Sequence, residues 1–182
     1  MRLIGVKRTR FIVDNFFEQS FQGKEPGKSQ FDKLNSSTEL HYLASIYNWD
    51  DGTALLEWVV NHSKCDRATA LMIFWRSEPD FYTRFNSESE ADFEADVFRL
   101  VRLIVSNFEA NKYKKASLEY NPAKEGYDVD YVDPKEKWSI PNNLKISVKG
   151  SQVYSVVDIM NSLKSWLKAL QNRRRRQKRR KR

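Results

Sequence analysis

"SSTELHYLASIYNWDDGTALLEWVVNHSKCDRATALMIFW", residues 36–75, holds three helix starts in close succession. Ser36 stands three positions before Glu39, the spacing at which each side chain satisfies an orphan N–H of a first helical turn. Leu40, Leu43, Ala44 and Tyr47 then share one face. That helix ends in "NWDDG". Asp51 reads as the N-cap of a second helix, "GTALLEWVVNH", with Leu55, Leu56 and Val59 on its apolar side and Trp58 beside them. Asp66 reads as the cap of a third, "RATALMIFW", which turns Leu71, Met72 and Trp75 inward. Thr-Ala-Leu occurs at 53–55 and again at 69–71, each time shortly after a capping Asp, so the stretch reads as a paired-helix unit.

Downstream, "RSEPDFYTRFN" (76–86) is a connection in which Pro79 opposes continuous helix and the aromatics look exposed. "SESEADFEADVFRLVRLIVSNFEANKY" (87–113) reads as one long helix. Ser87 and Glu90 repeat the capping-box spacing, and Phe93, Val97, Leu100, Val101, Ile104 and Phe108 recur at helical steps. From Asn121 the Pro and Gly content rises, and "YDVDYV" and "LKISVK" alternate as a small hairpin or edge pair would, near residues 127–149. "SQVYSVVDIMNSLKSWLKAL" (151–170) is another amphipathic helix, with Val153, Val156, Val157, Met160, Leu163, Leu167 and Leu170 as its stripe. At the other end, residues 2–21 fit either a strand followed by a short helix or one helix, and "QGKEPGKSQ" reads as a loop.

These elements predict a mainly α fold: a compact bundle of short and long helices with the small β pair. We expect one domain over residues 1–170, with its characteristic core at 39–110, and a disordered Arg-rich tail at 171–182. A chain of 182 residues that is 40% hydrophobic, with five Trp, eight Tyr and eleven Phe, is large enough to bury one sizeable core.

The formal charge of +8 changes meaning once it is divided along the chain. Nine of the 32 basic residues lie in the last ten positions, leaving 23 basic and 24 acidic groups elsewhere. Residues 39–110 hold six Lys and Arg against thirteen Asp and Glu. An acidic middle argues against a basic nucleic-acid groove there and for a basic partner surface. One cysteine excludes an internal disulfide, and with only His41 and His62 beside Cys65 there are too few ligands for a structural zinc site. No metal or cofactor is expected. "VKRTR" interrupts any signal-peptide core, and no apolar run approaches the roughly 18 residues of a membrane span, so a cytoplasmic location is the expectation.

"LHYLASIYNWDDG" and "NHSKCDRATALMIFW" together resemble a family of small bacterial helical domains of unknown function, over about residues 39–82. The resemblance rests on Tyr47, Asn48, Trp49, Asp50, Asp51, Gly52, Asn61, His62, Cys65, Asp66, Thr69, Ala70 and Leu71. The family often has Gly where this chain has Ala68. Such domains are similar to ones carried by proteins that neighbour bacterial toxins, so the resemblance implies an immunity role. It implies no catalytic residue.

Each candidate motif also has a plainer reading. Asp50 and Asp51 are adjacent and need not converge, so capping and Asx-turn duty comes before partner contact, and both come before catalysis. Trp49 reads as a plug at the corner. Cys65, His62 and Asp66 could sketch a nucleophile, a base and an orienting group, but a tight helix corner gives no reason for that geometry. His41 reads as a surface or boundary histidine. The expected partner surface comprises Trp49, Asp50, Asp80, Phe81, Tyr82, Glu88, Glu90 and Asp92, an acidic and aromatic set suited to occluding a basic toxin domain. The alternative is a nucleic-acid-associated protein that uses Arg173, Arg174, Arg175, Arg176, Lys178, Arg179, Arg180, Lys181 and Arg182, with Lys112, Lys114 and Lys115 extending the basic face. An enzyme is the third class, and the residue spacing gives it no support.

Overall fold

The computed structural model describes residues 1–166 and 168. Strand β1 (Arg2–Ile4) leads into helix α1 (Val6–Phe16), which resolves the open choice at the N-terminus in favour of strand then helix. A 3-10 turn (Ser20–Gln22) and the short α2 (Lys28–Phe31) follow. Next come α3 (Ser37–Ile46), a 3-10 turn (Trp49–Asp51), α4 (Ala54–Asn61) and α5 (Arg67–Arg76). The chain continues through α6 (Pro79–Tyr82), α7 (Glu88–Ala91), a 3-10 turn (Asp92–Glu94) and the fifteen-residue α8 (Ala95–Glu109). After a 3-10 turn (Pro122–Glu125) come α9 (Asn142–Lys145), strand β2 (Val153–Ser155) and a last helix, α10, described over 156–166. The fold is mainly α.

The capping chemistry read from the sequence is present at α3, α5 and α7. Ser36 Oγ accepts the Glu39 amide at 3.2 Å, and the Glu39 carboxylate accepts the Asn35 amide at 3.0 Å. Ser87 does the same for Glu90 at 3.3 Å, and Asp66 accepts the Ala68 amide at 3.0 Å.

At the centre lies α5, whose residues Ala68–Trp75 are all buried; the expected one-sided face is instead an all-round one, enclosed by α3, α4 and α8. Trp75 satisfies its indole by donating to the Leu144 carbonyl at 2.8 Å, which ties α9 to this core helix. His41, expected at the surface or boundary, is also buried, with Nδ1 3.0 Å from the Thr69 hydroxyl.

The β component lies elsewhere than the alternation implied. β1 and β2 pair in parallel, Arg2 with Val153 and Ile4 with Ser155. Of the stretches expected to form the hairpin, the second contributes one antiparallel bridge, Val148 with Tyr120, and 127–132 forms no strand. A parallel bridge joins Leu118 to Ser151. Gly150 permits this approach, since a Cβ there would stand 2.5 Å from the Leu118 carbonyl oxygen.

The single helix expected over 87–113 is broken at Asp92, whose φ of 53° is left-handed. A continuous helix would place Glu88 over Asp92, Glu90 over Glu94 and Asp92 over Asp96, three like-charged pairs at i,i+4 spacing. The break relieves them and lets Arg99 meet Asp96 at 2.7 Å and Glu88 and Glu57 at 3.2 Å each. Phe93, assigned from the periodicity to the buried stripe, is 87% exposed as a result. In α10, likewise, the stripe residues Met160 and Leu163 remain on the surface, as does Trp166. The tail expected at 171–182, with the stripe positions Leu167 and Leu170, lies outside the described residues.

Candidate functional site

The Asn48–Gly52 turn is built locally. Asn48 Oδ1 accepts the Asp50 amide at 3.2 Å, an Asx turn, while Gly52 at φ 79° supplies the left-handed exit. Tyr47 closes the corner from below by donating to the Gly52 carbonyl at 2.9 Å. Asp51 is not the cap of α4. Thr53 holds that position without a side-chain bond, and the Asp51 carboxylate accepts the amides of Gln19 at 3.1 Å and Ser20 at 3.2 Å, along with the Ser20 hydroxyl. The 3-10 turn points Asp51 away from the helix it precedes and towards the N-terminal segment. Trp49 is half-buried against the core and Asp50 is exposed.

At the second corner the catalytic sketch is not assembled. Cys65 is buried, its thiol is pushed up first by burial and then by Asp66, and its sulfur lies 3.7 Å from the Asp66 carbonyl. His62 Nδ1 accepts the Lys64 amide at 3.0 Å, and its ring packs against Phe31. The Asp66 carboxylate faces Ala68 and Ser117. A thiol held protonated, with both neighbours otherwise engaged, is a core side chain. Among the described residues, no group of three or more His, Cys, Asp and Glu is placed to hold a metal ion.

The third region, residues 78–96, contains seven carboxylates and one cation. Glu78, at φ 55°, starts α6 with Pro79 in its first turn. Phe81 lies 37% exposed on an edge-to-face cluster with Tyr82 and Phe85, and the Arg84 guanidinium stands 5.1 Å above its ring. Tyr82 is buried and donates to Glu94 at 2.8 Å, so it supports this face from beneath; burial first, then Glu94, raises its phenol. Asp80 is half-buried in a cleft of about 160 Å³ shared with Asp133 and Lys145, where burial, followed by the Asp133 charge, raises its carboxyl. Arg84 pairs with Asp133 at 2.6 Å.

Several carboxylates here are already paired. Glu90 meets Lys137 at 2.7 Å, and that ammonium and the Asn86 amide lower its carboxyl. Glu88 meets Arg99. Asp92 has no ion pair among the described residues, and Phe93 beside it makes no ring contact there. The result is a left-handed turn presenting one free aromatic ring within an acidic surround. Of the eight residues expected to contact a partner, six lie on this segment, while Trp49 and Asp50 sit on the turn bonded to Gln19 and Ser20. Phe93 is the residue that sequence reasoning missed. The only signal available was the alternation of acids around it.

Residues 35–109 match the family described as Domain of unknown function (DUF4274), which spans α3 to α8 and so includes both helix corners and the acidic turn. This match reaches well beyond the stretch at 39–82 that carries the resemblance. No curated protein and no solved structure matches the chain.

Proposed function

We propose that this chain is a binding protein, an immunity protein of the bacterial cytoplasm that occludes a basic toxin domain through the 78–96 face. The observation that carries the reading is Phe93: a large apolar ring, 87% exposed, on a left-handed non-glycine turn among carboxylates. Backbone strain of this kind costs on the order of 1–3 kcal/mol and persists where the surrounding structure enforces it. Phe93 and Phe81 would anchor in apolar pockets of the partner, and the carboxylates would steer association and set orientation. Catalysis at the Cys65 corner is set aside because the His62 imidazole is taken by the Lys64 amide, the Asp66 carboxylate by Ser117, and the Cys65 thiol meets only the Asp66 backbone carbonyl. Among the described residues no helix is long and apolar enough to cross a membrane.

The test is co-expression with the basic protein captured by the full chain from its native cell. The chain should suppress that protein's toxicity, and charge reversal at Glu78 and Asp92 should slow association. Toxicity that persists in the presence of the bound chain would end the immunity reading. Capture of RNA or DNA alone, lost with Arg173–Arg182, would move the function to the alternative.

A further inference from the structure

We infer that the cleft beside α6 receives one arginine side chain of the protein partner, with Asp80 as its counter-charge and Tyr131 against the guanidinium plane. The inference rests on the binding-protein reading above and names the chemistry that the acidic face selects. The cleft, of about 160 Å³, lies between α6 with the residue after it, which bring Asp80 and Thr83, and the segment 131–145. It is smaller than the roughly 300–1,000 Å³ of sites for free small molecules and suits a single side chain. α6 falls within the span that matches the family, 35–109, whereas the opposite wall lies outside it.

Charge in the cleft is nearly balanced, and Asp80 is where the balance fails. Three carboxylates, those of Asp80, Asp133 and Glu136, line it together with the Lys145 ammonium. Asp133 is taken within the chain: Arg84 donates to it through two nitrogens, at 2.9 and 2.6 Å, and the Lys135 amide donates at 2.8 Å. Glu136 accepts the Ser139 hydroxyl at 3.1 Å. Among the described residues Asp80 has no ion pair, and its carboxylate meets only its own amide. Counting Arg84 with Lys145, three acids face two cations, and one negative charge is left for a cation from outside. Burial and the Asp133 charge make the ionised form of Asp80 costly, and a cation drawn into the cleft offsets both.

The form of that cation follows from the groups beside it. Arg84 already sits between a carboxylate, Asp133, and an aromatic face, Phe81 at 5.1 Å. Asp80 and Tyr131 bring the same two kinds of group to the cleft. A planar guanidinium can pair bidentately with the first and stack on the second, and it sheds water more readily than an ammonium does. Phe81, Tyr131 and Val132, exposed by 37, 47 and 54%, give an apolar rim that would close over the contact and exclude water, as the surround of an interface anchor does. Other occupants fit less well. An apolar side chain would leave the Asp80 carboxylate desolvated without a partner, and a phosphate would meet it with like charge.

The test is a nuclear magnetic resonance titration of the full chain with acetyl-Gly-Arg-Gly-amide at physiological salt. The Thr83 and Val132 amides should shift saturably, with a dissociation constant in the millimolar range. Acetyl-Gly-Lys-Gly-amide should bind at least about threefold more weakly, and acetyl-Gly-Leu-Gly-amide should cause no shift. Asp80→Asn should weaken the arginine peptide at least about fivefold. Glu88→Gln, which alters a carboxylate paired with Arg99 outside the cleft, should leave it unchanged. No saturable shift, lysine or leucine peptide binding as tightly as arginine, or an unaffected Asp80→Asn would each overturn the inference. Its fate is separable from that of the immunity reading: arginine-peptide binding lost in Asp80→Asn would uphold the cleft even if no toxin is captured, whereas a captured toxin held equally well by Asp80→Asn would overturn the cleft and leave immunity standing.

Discussion

Asp66 Oδ2 accepts both the amide of Ser117, at 2.9 Å, and its hydroxyl, at 2.8 Å, across a separation of 51 residues. The other carboxylate oxygen caps α5 through Ala68. One fully buried carboxylate thus starts the central helix and fastens the segment that follows α8 to it. The neighbouring Arg67 amide donates to the Lys115 carbonyl at 2.7 Å and strengthens the same junction.

Asp66→Ala should therefore cost more than an exposed cap, about 3 kcal/mol in urea unfolding, because it removes a fully buried carboxylate and also strands the half-buried Ser117 donors. Asp66→Ser restores a cap but cannot reach Ser117, so most of the loss should remain. In a double-mutant cycle, Asp66→Ala and Ser117→Ala should show a coupling of about 1–2 kcal/mol. Additivity would dissolve the junction.

Asp51→Ala should cost only about 1 kcal/mol, and Asp51→Ser should not recover it, since the bonds lost are to Gln19 and Ser20 and not to α4. Amide exchange at Gln19 and Ser20 should accelerate while α4 stays protected. Faster exchange in the first turn of α4 would restore the capping role.

His41 sets an acid limit on stability. Burial, opposed by Asp66 and aided by Arg76, brings its imidazole down from 6.5 to about 4, with Glu125 opposing as well. Above pH 6.5 the ring is neutral in both folded and unfolded chains, and its contribution is complete. As pH falls from 6.5 towards 4 the unfolded chain takes up the proton first, so stability declines by about 3 kcal/mol across that window. His41→Gln should flatten this part of the urea-midpoint profile, and an unchanged slope would assign the decline to carboxylates.

Asp92→Gly should raise stability by about 1 kcal/mol, because glycine adopts a φ of 53° without strain. The same variant should weaken partner binding, since a looser turn no longer fixes the direction of Phe93. A destabilised Asp92→Gly would mean that the turn stores no strain.

The parts of this fold legible in the sequence are those written in local spacing. Ser36 with Glu39, Ser87 with Glu90, and Asp66 with Ala68 bond within three residues, so the helix starts could be read directly. Asp51 could not be read that way, because its partners lie 31 and 32 residues upstream and a cap for α4 was the nearer use. The β1–β2 pair was hidden by three-residue strands at opposite ends of the chain. Phe93 fell at a helical step from Val97, and apolar periodicity carries no information about repulsion among the surrounding acids. His41 was misplaced because α3 is covered on more sides than its apolar residues reveal. Of the candidate site, the acidic and aromatic composition was visible in the sequence; which ring faces outward was decided by the break at Asp92.

The central claim is tested most directly by Phe93→Ala, measured for stability and for binding to the captured basic partner in the same preparation. An 87% exposed side chain contributes little to folding, so the urea midpoint should move by no more than about 0.5 kcal/mol. If Phe93 is the anchor, dissociation should accelerate by on the order of thirtyfold or more, equivalent to about 2 kcal/mol, with association little changed. Unaltered dissociation at unaltered stability would contradict the account.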